Sequence, residues 1–270
     1  NDNEEDQKSL EQTLIGQFGV GFYSAFMVSE TVEVTSRKAG TKDTSIWESD
    51  GQSGYSISES SSEFPVGTSI KLYLKKDAKN YSDSAEIQTL IKKYSDHIQV
   101  PVKIKENNGE SKQVNSAQAL WTKQAQDIST DEYKDFYSSI AHSSEEPLTW
   151  MHNRSEGAIE YTTLFYIPAV APMDMYRVDF QPGVKLYVKR VFITDDEKEL
   201  LPTYLRFVKG IIDSEDLPLN VSRELLQENK VMANIKQSSV KKVLGEIKKL
   251  SKDEEKYVAF TEQYNRPLKE

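Results

Sequence analysis

The chain has 270 residues, 37% of them hydrophobic, which is enough for a sizeable core and suits two domains better than one. Its 34 basic and 43 acidic residues leave a net charge of −9, which argues against a nucleic-acid binder that works by neutralising phosphates. The absence of cysteine excludes disulfides and thiolate metal sites, and no apolar run approaches a membrane span, so neither a membrane nor a nucleic acid is an expected partner.

The head, "NDNEEDQKSLEQ", is polar and acid-rich, does not begin with methionine, and reads as a mobile lead-in to a piece of something longer. Next comes "TLIGQFGVGFYSAFMVSE", with glycines at Gly16, Gly19 and Gly21 directly ahead of an apolar run. Glycine adds no side chain and weakens a helix by about 1 kcal/mol relative to alanine. These three therefore serve a backbone need, either a tight turn or a close approach to a ligand. Phe22, Ala25, Phe26 and Ser29 fall on one face of an expected helix whose N-terminus would lie at Gly21. Free N–H groups there suit a phosphate, but glycine is also common where two elements merely pack closely. No Lys-Ser or Lys-Thr follows, which excludes a Walker-type loop, and the third glycine of the dinucleotide fingerprint is missing.

Strands are expected at residues 32–38, 45–48, 55–58 and 68–75. In the last, Ile70, Leu72 and Leu74 alternate with Lys71, Tyr73 and Lys75, predicting a half-buried antiparallel sheet. Asp83 and Glu86 open a helix carrying Ile87, Leu90, Ile91 and Tyr94. A short strand at 100–104 leads into the polar "KENNGESKQ", read as the linker between two domains.

Beyond it the pattern predicts a helix at 131–142, long strands at 160–167 and 184–193, and a strand near 207–212. Thr194 or Asp195 is expected to cap a turn or short helix, in preference to a metal site in "TDDE". Val240, Val243, Leu244 and Ile247 mark an amphipathic helix. Ser251 and Glu254 are expected to cap another, whose Tyr257, Phe260 and Tyr264 read as core. His97, His142 and His152 are too far apart for a local zinc motif, and the sequons at Asn153 and Asn220 read as chance matches in a cytosolic chain.

In "LNVSRELLQEN" a polar loop gives way to an expected helix start. Arg223 is either an ordinary surface arginine or a planar fork of donors offered to a phosphate.

Several long stretches, "LIGQFGVGFYSAFMV", "KKYSDHIQVPVKI", "AHSSEEPLTWMHNRSEG", "KLYVKRVFITDD", "LPTYLRFVKGIIDSEDLPLNVSRELLQ" and "NKVMANI", closely resemble the ninety-kilodalton heat-shock chaperone family in its bacterial type. The resemblance runs from about Leu14 to the C-terminus. It implies an α+β chain: the C-terminal part of a Bergerat-type ATPase sandwich, as in gyrase, MutL and histidine kinases, followed by an α/β middle domain. Residues 1–104 would be the partial nucleotide-binding domain, 105–117 the linker, and 118–270 the first part of the middle domain.

In such a protein Gly16, Gln17, Phe18, Gly19, Val20, Gly21 and Phe22 would line the ATP phosphates, and Thr68 would lie near the adenine. Arg223 would reach the γ-phosphate, with Gln227 helping to hold its loop. The family's general-base glutamate, its magnesium-binding asparagine and its Asp-x-Gly-x-Gly element lie upstream of the glycines and cannot fit before Gly16. The resemblance implies a cytoplasmic, ATP- and magnesium-dependent chaperone that acts on unfolded clients as a homodimer, with possible co-chaperones. The chain alone should show no significant ATPase activity. A DNA-processing relative shares the glycine pattern but not the charge balance or the later motifs. The competing expectation is a module that binds clients or co-chaperones without ATP.

Overall fold

A computed structural model describes residues 21–60, 64–106, 109–195, 200–217 and 229–270. The chain forms two compact units, and the division between them falls at Leu90 and Ile91, inside the helix Ser84–Tyr94.

In the first unit a 3-10 turn, Gly21–Ser24, runs into one α-helical turn, Ala25–Val28. The helix expected after the glycines stops there, and Ser29 is already extended at φ −122, ψ 149. The following "ETVEVT" alternates β-branched residues with polar ones, a pattern that fits a pleated surface better than a helix. Ser29 Oγ donates to the Ala25 carbonyl at 2.6 Å and closes the turn.

Strands β1 (Ser29–Arg37), β2 (Thr44–Ser49), β3 (Tyr55–Ser60) and β4 (Gly67–Leu74) form an antiparallel sheet in the order β3-β2-β1-β4. The register sets cross-strand rows on one face: Ile57, Trp47, Val34 and Ile70 in one, Tyr55, Ser49, Val32 and Leu72 in the next. The rings of Phe22 and Phe26 pack edge-on against Trp47, at 5.7 and 6.5 Å. Gly51 turns the β2–β3 hairpin at φ +76, and a Cβ there would stand 2.8 Å from the Phe26 ring, so only glycine fits. The expected alternation in β4 is present, but its expected half-burial is not. Ile70 is 53% exposed and Ile57 65%, because among the described residues little beyond Phe22 and Phe26 lies over their face.

In the second unit, five strands stand in the order β10-β9-β11-β8-β7. They are β7 (Pro147–Glu156), β8 (Glu160–Pro168), β9 (Gly183–Val188), β10 (Val191–Thr194) and β11 (Lys209–Ser214). Only the β9–β11 pair is parallel. Both faces are apolar, as a sheet covered on two sides requires. Phe165, Ile167, Leu186 and Ile212 meet Met232, Ile235, Val243, Phe260 and Tyr264 of the helices Lys230–Leu250 and Glu254–Tyr264. Leu164, Tyr166, Tyr187 and Ile211 meet Trp121 and the Tyr133, Phe136 and Tyr137 side chains of the helix Thr130–Ala141. Gly210, at φ +142, passes so close to Leu164 that a side chain would strike the neighbouring backbone.

Several expectations need correction. The strand expected at 184–193 is a hairpin, turned at Lys189 and Arg190, both at positive φ without the Asn or Gly that marks such turns. Strand β7 was not expected at all, because its polar "HNRSE" end breaks the alternation. The last helix is capped by Asp253, which accepts from Lys256 N–H at 3.2 Å, while Ser251 ends the preceding helix. The stretch read as a linker begins at the last residue of β5 (Lys103–Lys105) and holds β6 (Ser111–Gln113), which pairs with β5 as a two-stranded ribbon. It also contains Asn115, buried, whose side chain accepts from Val102 N–H at 2.8 Å and donates to the Val100 and Ser95 carbonyls. Residues 196–199 of the acidic run lie outside the described residues.

Candidate functional site

Of the residues expected to line the nucleotide, Gly16, Gln17, Phe18, Gly19 and Val20 lie outside the described residues, whereas Gly21, Phe22 and Thr68 lie within them. Gly21 opens the 3-10 turn, and no described residue stands within 4 Å of where its Cβ would be. Its carbonyl accepts from Ser24 Oγ at 2.6 Å. The turn is anchored from β4, where Lys75 donates its Nζ to the Phe26 and Met27 carbonyls at 2.8 and 3.2 Å. That lysine is therefore committed to the backbone and is not free to meet a phosphate.

Thr68 is exposed on β4, and its hydroxyl lies 2.9 Å from Ser36 Oγ on β1. By register, Thr68 and Ser36 occupy the row next to that of Trp47, on the same face of the sheet. The fold thus brings Phe22 and Thr68 to one face, with the open backbone of Gly21 leading into it. Among the described residues there is no group of three His, Asp or Glu that could hold a metal ion.

Arg223 and Gln227 also lie outside the described residues, which end at Leu217 and resume at Asn229. Both flanks are fixed. Ser214 Oγ accepts from the Asp216 and Leu217 N–H groups at 3.3 Å, and Leu217 is buried. Asn229 caps the long helix by accepting from Val231 N–H at 2.8 Å.

No sequence pattern marks the polar network around Trp121. The indole Nε1 donates to Asp213 Oδ2 at 2.7 Å, and Asp213 Oδ1 accepts from Arg190 N–H at 3.1 Å in the strained β9–β10 turn. Burial pushes the Asp213 carboxyl up to about 6, against the opposing pull of those two donors. His152 reaches the Trp121 carbonyl through Nε2 at 3.0 Å and the Tyr133 hydroxyl through Nδ1 at 2.8 Å. The His97 ring lies edge-on to the indole at 4.7 Å, with Nδ1 3.1 Å from the Gln118 carbonyl. Burial lowers the pKa of both histidines. With these partners, the network's chemistry is that of an internal clamp between the helical layer and the sheet. Trp121 and Asp213 are 92 residues apart, so no local spacing could have joined them.

The family model described as Hsp90 protein matches residues 99–270. Chaperone protein HtpG of Wolinella succinogenes is 55% identical over 270 residues, covering 97% of this chain and 44% of the relative. HtpG of Sulfurimonas denitrificans is 56% identical, with 98% and 45% covered, and that of Helicobacter acinonychis 52%, with 97% and 45%. The chain spans less than half the length of these curated relatives. With a model that matches well over half of its residues, and with relatives this similar along nearly all of it, the chain belongs to the Hsp90 protein family, among the bacterial HtpG chaperones.

Proposed function

We propose that the chain is part of an ATP-driven chaperone that assists the folding of unfolded proteins, acting as a cytoplasmic homodimer. Residues 1–104 are the end of a Bergerat-type nucleotide domain and 118–270 the first part of a middle domain, with 105–117 between them. The observation that carries this reading is the 55% identity to a relative named as a chaperone, which extends over 97% of the chain, glycine stretch and Arg223 stretch included.

In this reading the backbone from Gly16 to Phe22 donates N–H groups to the phosphates and Thr68 offers its hydroxyl near the base. Arg223 presents its guanidinium to the charge that develops on the γ-phosphate, and Gln227 steadies the loop that carries it. Bound ATP supplies the free energy that drives the conformational cycle. The exposure of Tyr55, Ile57 and Ile70 among the described residues supports the assignment of this unit to a larger sandwich, since a monomeric domain seldom leaves such a surface open.

The experiment is refolding of a denatured client by the full-length protein, with and without ATP, and with Arg223→Ala. ATP-dependent refolding that the substitution abolishes is the expected result. Refolding independent of both would favour a second reading, a client-binding module that needs no ATP. That reading draws on Met173 and Val178, whose side chains are almost wholly exposed in the connection between β8 and β9.

A further inference from the structure

The second unit holds a cleft of about 370 Å³, within the range of roughly 300–1,000 Å³ usual for small-molecule sites. Its wall is apolar where Phe180 and Leu201 line it, and Tyr176 stands at its rim. Arg266 lies over the Tyr176 ring at 4.3 Å and Arg206 at 5.4 Å, so one aromatic ring meets two guanidinium groups. The lining contains three arginines, of which Arg177 is forked onto Asp179 at 2.9 Å and Arg206 pairs with Glu270, while Arg266 lies on the Tyr176 ring.

Arg206 is the informative member. Its side chain is only 13% exposed, and one of its terminal nitrogens donates to Glu270 Oε2 at 2.7 Å and to the Thr203 carbonyl at 3.1 Å. Its Nε is buried and has no hydrogen-bond partner among the described residues. The buried Nε does not face the open cleft, and a carboxylate is the natural planar partner of the guanidinium group as a whole. Glu270 shows that a carboxylate can reach this group, and the arginine holds its carboxyl below the usual range.

We propose that this cleft binds a small amphipathic monocarboxylate, its apolar body between Tyr176, Phe180 and Leu201 and its carboxylate on Arg206 and Arg266. The ligand competes with or joins Glu270 at Arg206. Recognition rests on one charge and one apolar body, so aryl and short acyl carboxylates are the class it selects. The site is independent of the nucleotide reading.

The test is calorimetric titration of the full-length protein with 4-phenylbutyrate and with its neutral amide, without nucleotide. The acid is expected to bind at one site, with the amide about tenfold weaker, as for the loss of a charge-assisted contact. Arg266→Gln, at an exposed position that should not disturb folding, is expected to weaken the acid by a similar factor, and Tyr176→Ala to weaken both ligands. Glu270→Gln should tighten the acid by freeing Arg206. Thermal melting of each variant confirms that it folds. Equal affinity for acid and amide, no binding of either, or acid binding unchanged by both Arg266→Gln and Tyr176→Ala would overturn the proposal.

Discussion

Strands β7–β11 carry apolar side chains on both faces, and helices cover both, so that Phe165, Leu164, Ile211 and Ile212 are wholly buried. Strands β1–β4 carry apolar rows on one face only, and there Tyr55, Ile57 and Ile70 are each more than half exposed among the described residues. Both sheets follow the same rule of alternation. The difference is whether the described residues supply a cover. The second unit is self-sufficient in its core, and the first presents a surface suited to being completed.

The largest effect that would sharpen this contrast is expected from Trp121→Ala. The indole is wholly buried between helix and sheet, and its loss also strips the Asp213 carboxylate of a donor. A loss of about 3–5 kcal/mol is expected in urea unfolding followed by a probe in the second unit. By contrast, Ile57→Thr on the open face should change stability by no more than about 0.5 kcal/mol while reducing self-association in light scattering. If Ile57→Thr cost as much as Trp121→Ala, the face would be covered after all.

A smaller effect follows from the titration of Asp213. Its folded pKa, about 6, lies above the ordinary 3.8, so between these values the folded state binds more protons than the unfolded. Its contribution is therefore fully present below about pH 4 and is lost as pH rises through 6, by on the order of 3 kcal/mol. Asp213→Asn should remove that slope from the stability profile. His97 and His152 act in the opposite sense, because burial lowers their pKa. Their contribution is present above about pH 6.5 and is lost as pH falls below it. His152→Gln should flatten that acid limb, and an unchanged limb would mean that His152 is not buried in its neutral form.

The smallest is Ser129→Ala. It removes the hydroxyl that accepts from Glu132 N–H in the capping box of the helix Thr130–Ala141 and should cost about 1 kcal/mol by thermal melting.

Alternation was enough to read β4, the local sequence pattern also placed β1 to β3 and β8, and helical spacing was enough for the long helix ending at Leu250. What escaped was set by distant contacts. The break at Lys189 and Arg190 is held by Asp213, more than twenty residues away, and β7 is fixed by pairing along β8 despite its polar sequence. Gly21 and Thr68 of the candidate site were legible as motif positions, whereas their placement on one sheet face depends on the register of β1 with β4. The clamp around Trp121 left no sequence signal, because its members come from separate elements.

The most direct measurement is ATP turnover by the full-length protein and its Arg223→Ala variant, with nucleotide affinity measured alongside. If Arg223 completes the site, affinity is kept and turnover at saturation falls by roughly 10³–10⁵, the range for arginines that stabilise a transferring phosphoryl group. If affinity collapses while turnover at saturation is kept, Arg223 serves binding alone, and the role proposed for it is wrong.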